Sequence, residues 1–426
     1  MGLTILLSVF AITMLSGIPI AFCLAIAAFC AAMIEGLPEL IVFQRMVSGM
    51  SGFTLLAIPF FVFAGELMMR GGIAMRLVRF AETLVGQVRG GLGVVNVLSS
   101  MLFGGISGSA VADTSALGSV MIPMMREQGY DDDYSVNVTV TSSIAGIMIP
   151  PSHNMILYAL AAGGGVSISS LFLAGIVPGI MMCLILTLAT YWIAVRRHYP
   201  SQKFPGWQAV FFAAVYALPG LMTAVVIIGG VLSGIFTVTE SAAIGAIWAL
   251  LVTICVYRSL TWQAFLQSVT QAIRTTALVM ILVGAATAFA YFLALYQVPD
   301  MILGAMTAIS DNKYFVLLMI NVALLVLGMF MDMAALILIC TPIFLPVVRE
   351  FGMDPVQFGM VLMMNLGLGL TTPPVGACLF VGCAVAKVRI ESVLKTIWPF
   401  YLAIFLALLL TTYVPAISLT LPRLFE

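Results

Sequence analysis

Ile149-Pro150-Pro151-Ser152-His153-Asn154 and Thr371-Thr372-Pro373-Pro374-Val375-Gly376 are the two stretches on which the fold turns. A double proline removes two backbone donors and cannot continue a regular helix. In lipid, the carbonyls it frees must find partners. One such motif reads equally well as a proline kink capped by neighbouring helices. Two matched motifs point to two helices broken in mid-membrane.

The match extends outward from the prolines. Shifting the chain by 223 positions (373 − 150) sets Pro123 on Pro346, Arg126 on Arg349 and Glu127 on Glu350. The same shift pairs Gly129 with Gly352, Asp131 with Asp354, Val138 with Val361 and Gly146 with Gly369. With the two proline pairs, that is nine identities in the 29 positions from 123 to 151, without a gap. Ordinary residue usage would give about two by chance. Long internal repeats of this kind mark secondary-transporter folds.

Composition names the solvent. The 426 residues are 62% hydrophobic and 8% charged, with a mean hydropathy of +1.18. Soluble domains carry about 25% charged residues, so this surface faces lipid. A crossing needs about 20 apolar residues, which leaves room for roughly ten to twelve hydrophobic segments. Clear ones lie at 2–34, 53–69, 168–195, 207–232, 237–257, 276–296 and 396–418. The first is interrupted by Gly17-Ile18-Pro19 and lacks a basic leader, so it reads as a retained membrane helix and not a signal peptide. Net charge is zero, which implies no nucleic-acid surface. The seven cysteines, Cys23, Cys30, Cys183, Cys255, Cys340, Cys378 and Cys383, all lie in apolar runs without a CxxC and read as buried free thiols. An intramembrane enzyme is the disfavoured third reading: it would need an apposed Asp–Asp, a Ser–His pair or a metal cluster, and the sequence has no HExxH and only two histidines, His153 and His198.

Residues 90–125 hold two short apolar arms joined by Gly104-Gly105-Ile106-Ser107-Gly108-Ser109. Residues 314–347 repeat the plan, with a tip near Gly328-Met329-Phe330-Met331-Asp332. Arms too short to cross, meeting at a polar tip, form a re-entrant hairpin. Positive residues favour the cytoplasmic side. With the Arg70 to Arg89 cluster there, 13 of 17 Lys and Arg fall inside, Arg45, Lys313, Arg349 and Arg423 excepted. The hairpins then enter from opposite faces and the repeat is inverted. This predicts an all-α polytopic membrane protein with two re-entrant hairpins and two broken helices, its N-terminus cytoplasmic and its C-terminus periplasmic.

Such an arrangement brings half-helix ends to the midplane. Half-helix N-termini suit carboxylates, and unwound carbonyls and C-termini suit sodium. Ser107 and Ser109 read as substrate contacts or as caps of the hairpin backbone. Asp113 and Asp332 are costly intramembrane carboxylates that ligate an ion or brace a half-helix. His153 reads as a substrate, proton or structural contact. Glu66 and Glu240, each near the end of a hydrophobic run, read as interfacial residues or scaffold braces, and the 28 methionines as flexible packing.

At these residues the chain resembles the large membrane subunit of tripartite ATP-independent periplasmic (TRAP) transporters, the DctM type. The likeness rests on Gly104-Gly105-Ile106-Ser107-Gly108-Ser109 with Ala112-Asp113, on Ile149-Pro150-Pro151-Ser152, and on Asn365-Leu366-Gly367 through Thr371-Thr372-Pro373-Pro374-Val375-Gly376. The wider ion transporter superfamily shares the plan, but its sodium–dicarboxylate carriers show Ser-Asn-Thr tips. The tips here read Ser-Gly-Ser and Met-Asp-Met. A stand-alone carrier of that superfamily is the alternative reading.

The resemblance implies an elevator in the bacterial inner membrane, importing small organic acids such as C4-dicarboxylates or sialic acid. It implies scaffold helices and an arm over 1–89, transport-domain parts at 90–165 and 276–395, further scaffold at 166–275 and a C-terminal helix at 396–426. It implies two or more coupling sodium ions, a small four-helix membrane subunit and a periplasmic substrate-binding protein. Sodium ligation falls on Gly105, Gly146, Ile149 and Ser152, and on Gly328, Gly369, Thr372 and Val375. Substrate contact falls on Ser107, Gly108, Ser109, His153, Asn154 and Thr371. Asp113, Asp332, Pro150, Pro151, Pro373 and Pro374 would support them.

Overall fold

The computed structural model describes residues 2–425, and every regular element among them is helical. α1 (Gly2–Leu15) and α2 (Ile20–Ile34) divide the first apolar run. The single helix expected there does not form. Gly17 takes φ +79, a left-handed conformation that side chains disfavour. The chain reverses, α1 packs along α2, and Gly2 comes to lie beside Glu35 and Tyr296.

α3 (Leu40–Met50) and α4 (Ala57–Arg70) follow, joined through a 3-10 turn at Phe53–Leu56. α5 (Ile73–Val85) buries Ile73, Ala74, Leu77, Val78 and Ala81. That is the three-and-four spacing of an amphipathic arm. The first hairpin is α6 (Gly91–Ser107) and α7 (Ala110–Glu127). Seventeen residues in α6 rise only about 26 Å. Gly108 makes the turn at φ +62, and the Ser109 hydroxyl accepts the Ala112 N–H at 3.4 Å. The first broken helix is α8 (Asp132–Ser142), α9 (Ala145–Met148) and α10 (His153–Ala161), bent by 54°. α11 (Ile168–Arg196) closes the first half.

The second half opens with α12 (Trp207–Leu232) and α13 (Val238–Leu251), the latter extended by a π turn to Val256. α14 (Trp262–Leu295) runs 34 residues, well beyond the expected 276–296, and is followed by α15 (Val298–Ile309). The second hairpin is α16 (Lys313–Gly328) and α17 (Met333–Glu350). α18 (Pro355–Leu370) and α19 (Ala377–Ala386) flank the second break. α20 (Ile390–Leu394), α21 (Trp398–Tyr413) and α22 (Pro415–Phe425) end the chain, with a 58° bend before Pro415 in place of one straight helix. Among the described residues, six single helices are long and apolar enough to cross a membrane, or up to eight if each bent pair is one span.

The repeat covers far more than its identities. Adding 223 carries α3 and α4 onto α14, α5 onto α15, both hairpin arms onto α16 and α17, and α11 onto α20 to α22. The identities themselves are structural. Gly129 and Gly352 end α7 and α17 at φ +82 and +69, the left-handed glycine that closes many helices. Asp131 and Asp354 are the caps of α8 and α18. Asp354 Oδ1 accepts the Val356 N–H at 2.7 Å.

Asp131 is used differently. It accepts the Tyr199 hydroxyl at 2.6 Å and the Arg197 guanidinium at 3.0 Å, while Asp133 takes the other guanidinium nitrogen at 2.9 Å. This fork ties α8 to the end of α11. Charge-assisted hydrogen bonds contribute about 1.5–3 kcal/mol each where shielded, and less where solvent screens them. Arg197→Ala is therefore expected to lower the melting temperature in detergent by a few degrees. The deficit should shrink in high salt, because salt screens the lost pair in the parent. An equal deficit at every salt concentration would contradict an ionic origin.

Two packing groups emerge. α3 and α4 lie along α14, α2 packs on α14, and α13 packs on α4. The hairpins and broken helices pack together, with α11 running along α6, α18, α21 and α22. So α11, expected among the scaffold helices, packs with the hairpin group. α14, expected with the second hairpin, packs chiefly with α2, α3 and α4, and touches that hairpin through α17. All seven cysteines are free, but the expectation that all are buried fails for Cys255, which is exposed, and for Cys30, which is half-buried. Hydropathy does not separate a lipid-facing residue from a core one.

Candidate functional site

Each hairpin tip rests on a helix break, backbone against backbone. A Cβ on Gly104 would lie 2.8 Å from Gly146 Cα, and one on Gly105 would lie 3.0 Å from the Pro150 carbonyl. Gly108 faces the Pro151 carbonyl and His153. In the second repeat a Cβ on Gly369 would lie 2.7 Å from Gly328 Cα. The Val375 N–H donates to the Met329 carbonyl at 3.0 Å. Both double prolines are cis.

One partner differs from the sequence register. Gly105 is the counterpart of Gly328, yet Gly104 makes the closest approach to Gly146. α6 continues to Ser107, whereas α16 stops at Gly328, two residues before position 330 (107 + 223). The first tip is therefore wound further. The doublet Gly104-Gly105 was the available signal for this.

The first tip carries unpartnered oxygens. Asp113 is fully buried. The Ser107 hydroxyl donates to its Oδ1, while Oδ2 has no hydrogen-bond partner and points at Gly146. The Ser152 hydroxyl in the break is also buried without a partner. Oxygens of this kind suit a hard cation, which takes oxygen ligands, and unpartnered buried oxygens also occur away from the tips, as at Thr190 and Ser418. No cluster of three or more His, Cys, Asp or Glu exists among the described residues.

A cavity of about 630 Å³ lies between the two tips. Ser109 and Ala110 bring the start of α7 to it, His153 and Asn154 the start of α10, and Asp332 with Met333 the start of α17. Three helix N-termini thus converge; those of α7 and α17 are capped by Ser109 and Asp332, whereas that of α10 has no side-chain cap and keeps N–H groups and partial positive charge that favour an anion. Asn154 is only 5% exposed, lines the cavity and makes no side-chain hydrogen bond. The opposite wall is α14 residues 275–282 with the start of α2.

Asp332 and Ser109 are register equivalents (332 − 223), and both cap the return arm of a hairpin. Asp332 accepts the Ala334 N–H at 3.0 Å. Of the six expected substrate contacts, Ser109, His153 and Asn154 line the cavity, and Ser107, Gly108 and Thr371 do not. Thr371 is turned away. Its hydroxyl donates to the Leu368 carbonyl at 2.8 Å, and its own carbonyl accepts the Tyr401 hydroxyl at 2.5 Å. The α2 and α14 walls were not foreseen, because they are ordinary apolar helix surface in sequence.

Comparison with known proteins places this geometry in a family. Residues 7–417 match the model of the tripartite ATP-independent periplasmic transporter, DctM component. The chain is 39% identical over 382 residues to the sialic acid TRAP transporter large permease protein SiaM of Vibrio cholerae, covering 90% of this chain and 89% of that one. It is 38% identical over 371 residues to the C4-dicarboxylate TRAP transporter large permease protein DctM of Pseudomonas aeruginosa, covering 87% and 86%. The fold is similar to the crystal structure of the Alcanivorax borkumensis YdaH transporter, with a TM-score of 0.64, 14% identity and 89% of each chain covered. A match across nearly the whole chain, with both hairpins and both breaks in place, makes this protein a member of the DctM family, the large multi-pass membrane component of TRAP transporters and not an enzyme.

Proposed function

We propose that this chain imports a small organic acid across the bacterial inner membrane, driven by sodium, by an elevator motion. The observation that carries the reading is the pair of tip-on-break contacts, Gly104 on Gly146 and Gly328 on Gly369, flanking a cavity that gathers three helix N-termini. Sodium would sit at Gly105, Gly146, Ile149 and Ser152 in one repeat and at Gly328, Gly369, Thr372 and Val375 in the other. Main-chain carbonyls supply most of the oxygens, joined at the first site by the unpartnered Asp113 and Ser152 atoms.

The packing groups supply the moving parts. The hairpin group, including α11 and α18 to α22, would slide as one body against α2, α3, α4, α13 and α14. Gly65 of α4 faces the first tip, at 3.2 Å from a built Cβ to the Ile106 carbonyl, and leaves a smooth track there. With the basic clusters inside and α1 folded back along α2, residue 2 would lie on the outer side, in place of the cytoplasmic N-terminus expected from a single crossing.

The family description names a three-part periplasmic system. The other two parts would be a small four-helix membrane subunit and a soluble binding protein that delivers the substrate. Relatives named for sialic acid and C4-dicarboxylates favour a carboxylic acid as cargo.

Proteoliposomes decide between this reading and a stand-alone carrier. Uptake of the cognate acid should require an inward sodium gradient, the small subunit and the binding protein, and should fall at least about tenfold when any one is withheld, the size expected of a coupling of 1–3 kcal/mol. Full uptake by this chain alone would exclude the three-part reading. Uptake indifferent to sodium would exclude the coupling.

A further inference from the structure

α7 and α19 belong to different repeats yet pack along each other. α7 starts at the first tip, after Ser109, and α19 starts just past the second break. Their interface is smooth. Gly118 of α7 faces Val385 of α19, and Gly382 of α19 faces Thr114 of α7 and Val140 of α8. Small residues allow close approach but offer few knobs to fix the axial position of one helix on the other. α19 is bounded by a left-handed residue at each end, Gly376 at φ 36 and Lys387 at φ 56.

Arg126 supplies the missing stop. It stands in the last turn of α7. Its Nη2 donates to the carbonyl of Ala386, the last residue of α19, at 2.8 Å, and its Nε pairs with Asp132 at 2.7 Å. A cation there satisfies an orphan carbonyl and meets the negative end of the helix dipole. The counterpart lies at position 349 (126 + 223). Arg349 stands in the last turn of α17, α17 packs on α10, and Arg349 Nη2 lies 3.5 Å from a Cβ built on Gly165, in the connection just beyond α10. The return arm of the first hairpin is thus tied to the post-break half-helix of the second repeat, whereas Arg349 is exposed and stands beside the equivalent connection without bonding to it.

We propose that Arg126 and Arg349 are positioning residues that set the depth of one repeat's half-helix against the other repeat's hairpin, so that sodium bound at one tip-and-break pair is felt at the other. The inference rests on the sodium reading above. Its physical content is a coupling between two sites carried by two short rods, α7·α19 and α10·α17, the first pinned at its outer end by Arg126 and the second flanked there by Arg349. Loosening a pin lets the rods move independently, so each ion then binds without help from its partner.

The test needs no substrate. Equilibrium binding of radioactive sodium is measured on the full chain in detergent, with choline chloride holding ionic strength constant. The parent should bind two ions with a Hill coefficient clearly above 1. Arg126→Ala and Arg349→Ala should still bind two, with the Hill coefficient near 1 and half-saturation raised about fivefold, the low end of typical coupling. Arg126→Lys, which keeps one donor for the Ala386 carbonyl, should restore most of the cooperativity. A purely structural role would instead lower the number of ions bound in step with the folded fraction. Unchanged Hill coefficients in both alanine variants would overturn the proposal, as would a parent that binds two ions independently. A parent with no saturable sodium binding would overturn the sodium reading as well.

Discussion

Gly369→Val abolishes transport while leaving the chain inserted and monodisperse. A Cβ at this position meets Gly328 Cα and C at 2.7 Å and the Gly328 carbonyl oxygen at 2.8 Å. Every one of these atoms is backbone, so no side chain can swing aside. The second tip must back away from its break by about 1 Å, and a misplacement of that size costs roughly 10²-fold in a positioned site. Overpacking itself costs about 1–3 kcal/mol, which a membrane protein of this size should survive. Gly146→Val repeats the experiment in the first repeat, where the Cβ meets Asp113 Oδ2 at 2.5 Å. Gly229→Ala is the control, since its Cβ meets nothing within 4 Å. It should transport normally and melt slightly higher, because alanine in a helix is worth about 0.5–1 kcal/mol over glycine. Reconstituted uptake and size-exclusion profiles measure both outcomes. Uptake by Gly369→Val within a few-fold of the parent would show that the tip-on-break contact is dispensable.

The second large effect is expected at Asp113, with stability and activity moving in opposite directions. The side chain is fully buried, and one of its oxygens has no partner. The repeat register puts Leu336 (113 + 223) at the same place in the second hairpin, so leucine is compatible with this helix position. Replacing a buried ionic group by a well-packed apolar one is often neutral or stabilising by about 1–4 kcal/mol. Asp113→Leu should therefore melt at least about 2 °C above the parent in sodium-free detergent, on the usual conversion between free energy and melting temperature. Its uptake should fall by 10²-fold or more (about 2.7 kcal/mol) because the oxygen aimed at the site is gone. A stabilised and inactive variant is the mark of a residue kept for function at the expense of stability. A destabilised variant would mean that Asp113 braces the tip, and a fully active one would remove it from the site.

Much of this was legible in the residues. Pro150-Pro151 and Pro373-Pro374 announced both breaks, because a residue without an N–H has the same consequence in any context. Gly104-Gly105-Ile106-Ser107-Gly108-Ser109 announced the first hairpin tip for equally local reasons. Errors appeared wherever apolar sequence alone had to be read. Residues 2–34 and 396–418 looked like single crossings, and hydropathy records burial in lipid without direction, so it missed the reversal at Gly17 and the bend before Pro415. The charged Arg274 hid the first half of α14. It lies exposed on a helix that continues through it, and charge marks the surface of a helix as readily as its end.

The chain's own chemistry, then, decided that it lives in lipid, that it repeats itself with a shift of 223, and where the two double prolines break their helices. Proline, glycine and capping carboxylates act within a few residues and need no partner elsewhere. Which of these stops meet was settled only by packing in three dimensions. Gly104 in place of Gly105 against Gly146, α11 beside the hairpins, Thr371 turned toward Tyr401, and α2 and α14 as walls of the cavity all depend on groups far apart in sequence. A register of identities fixes which positions are equivalent, whereas contact depends on how far each helix winds before it ends, and α6 and α16 end two residues apart.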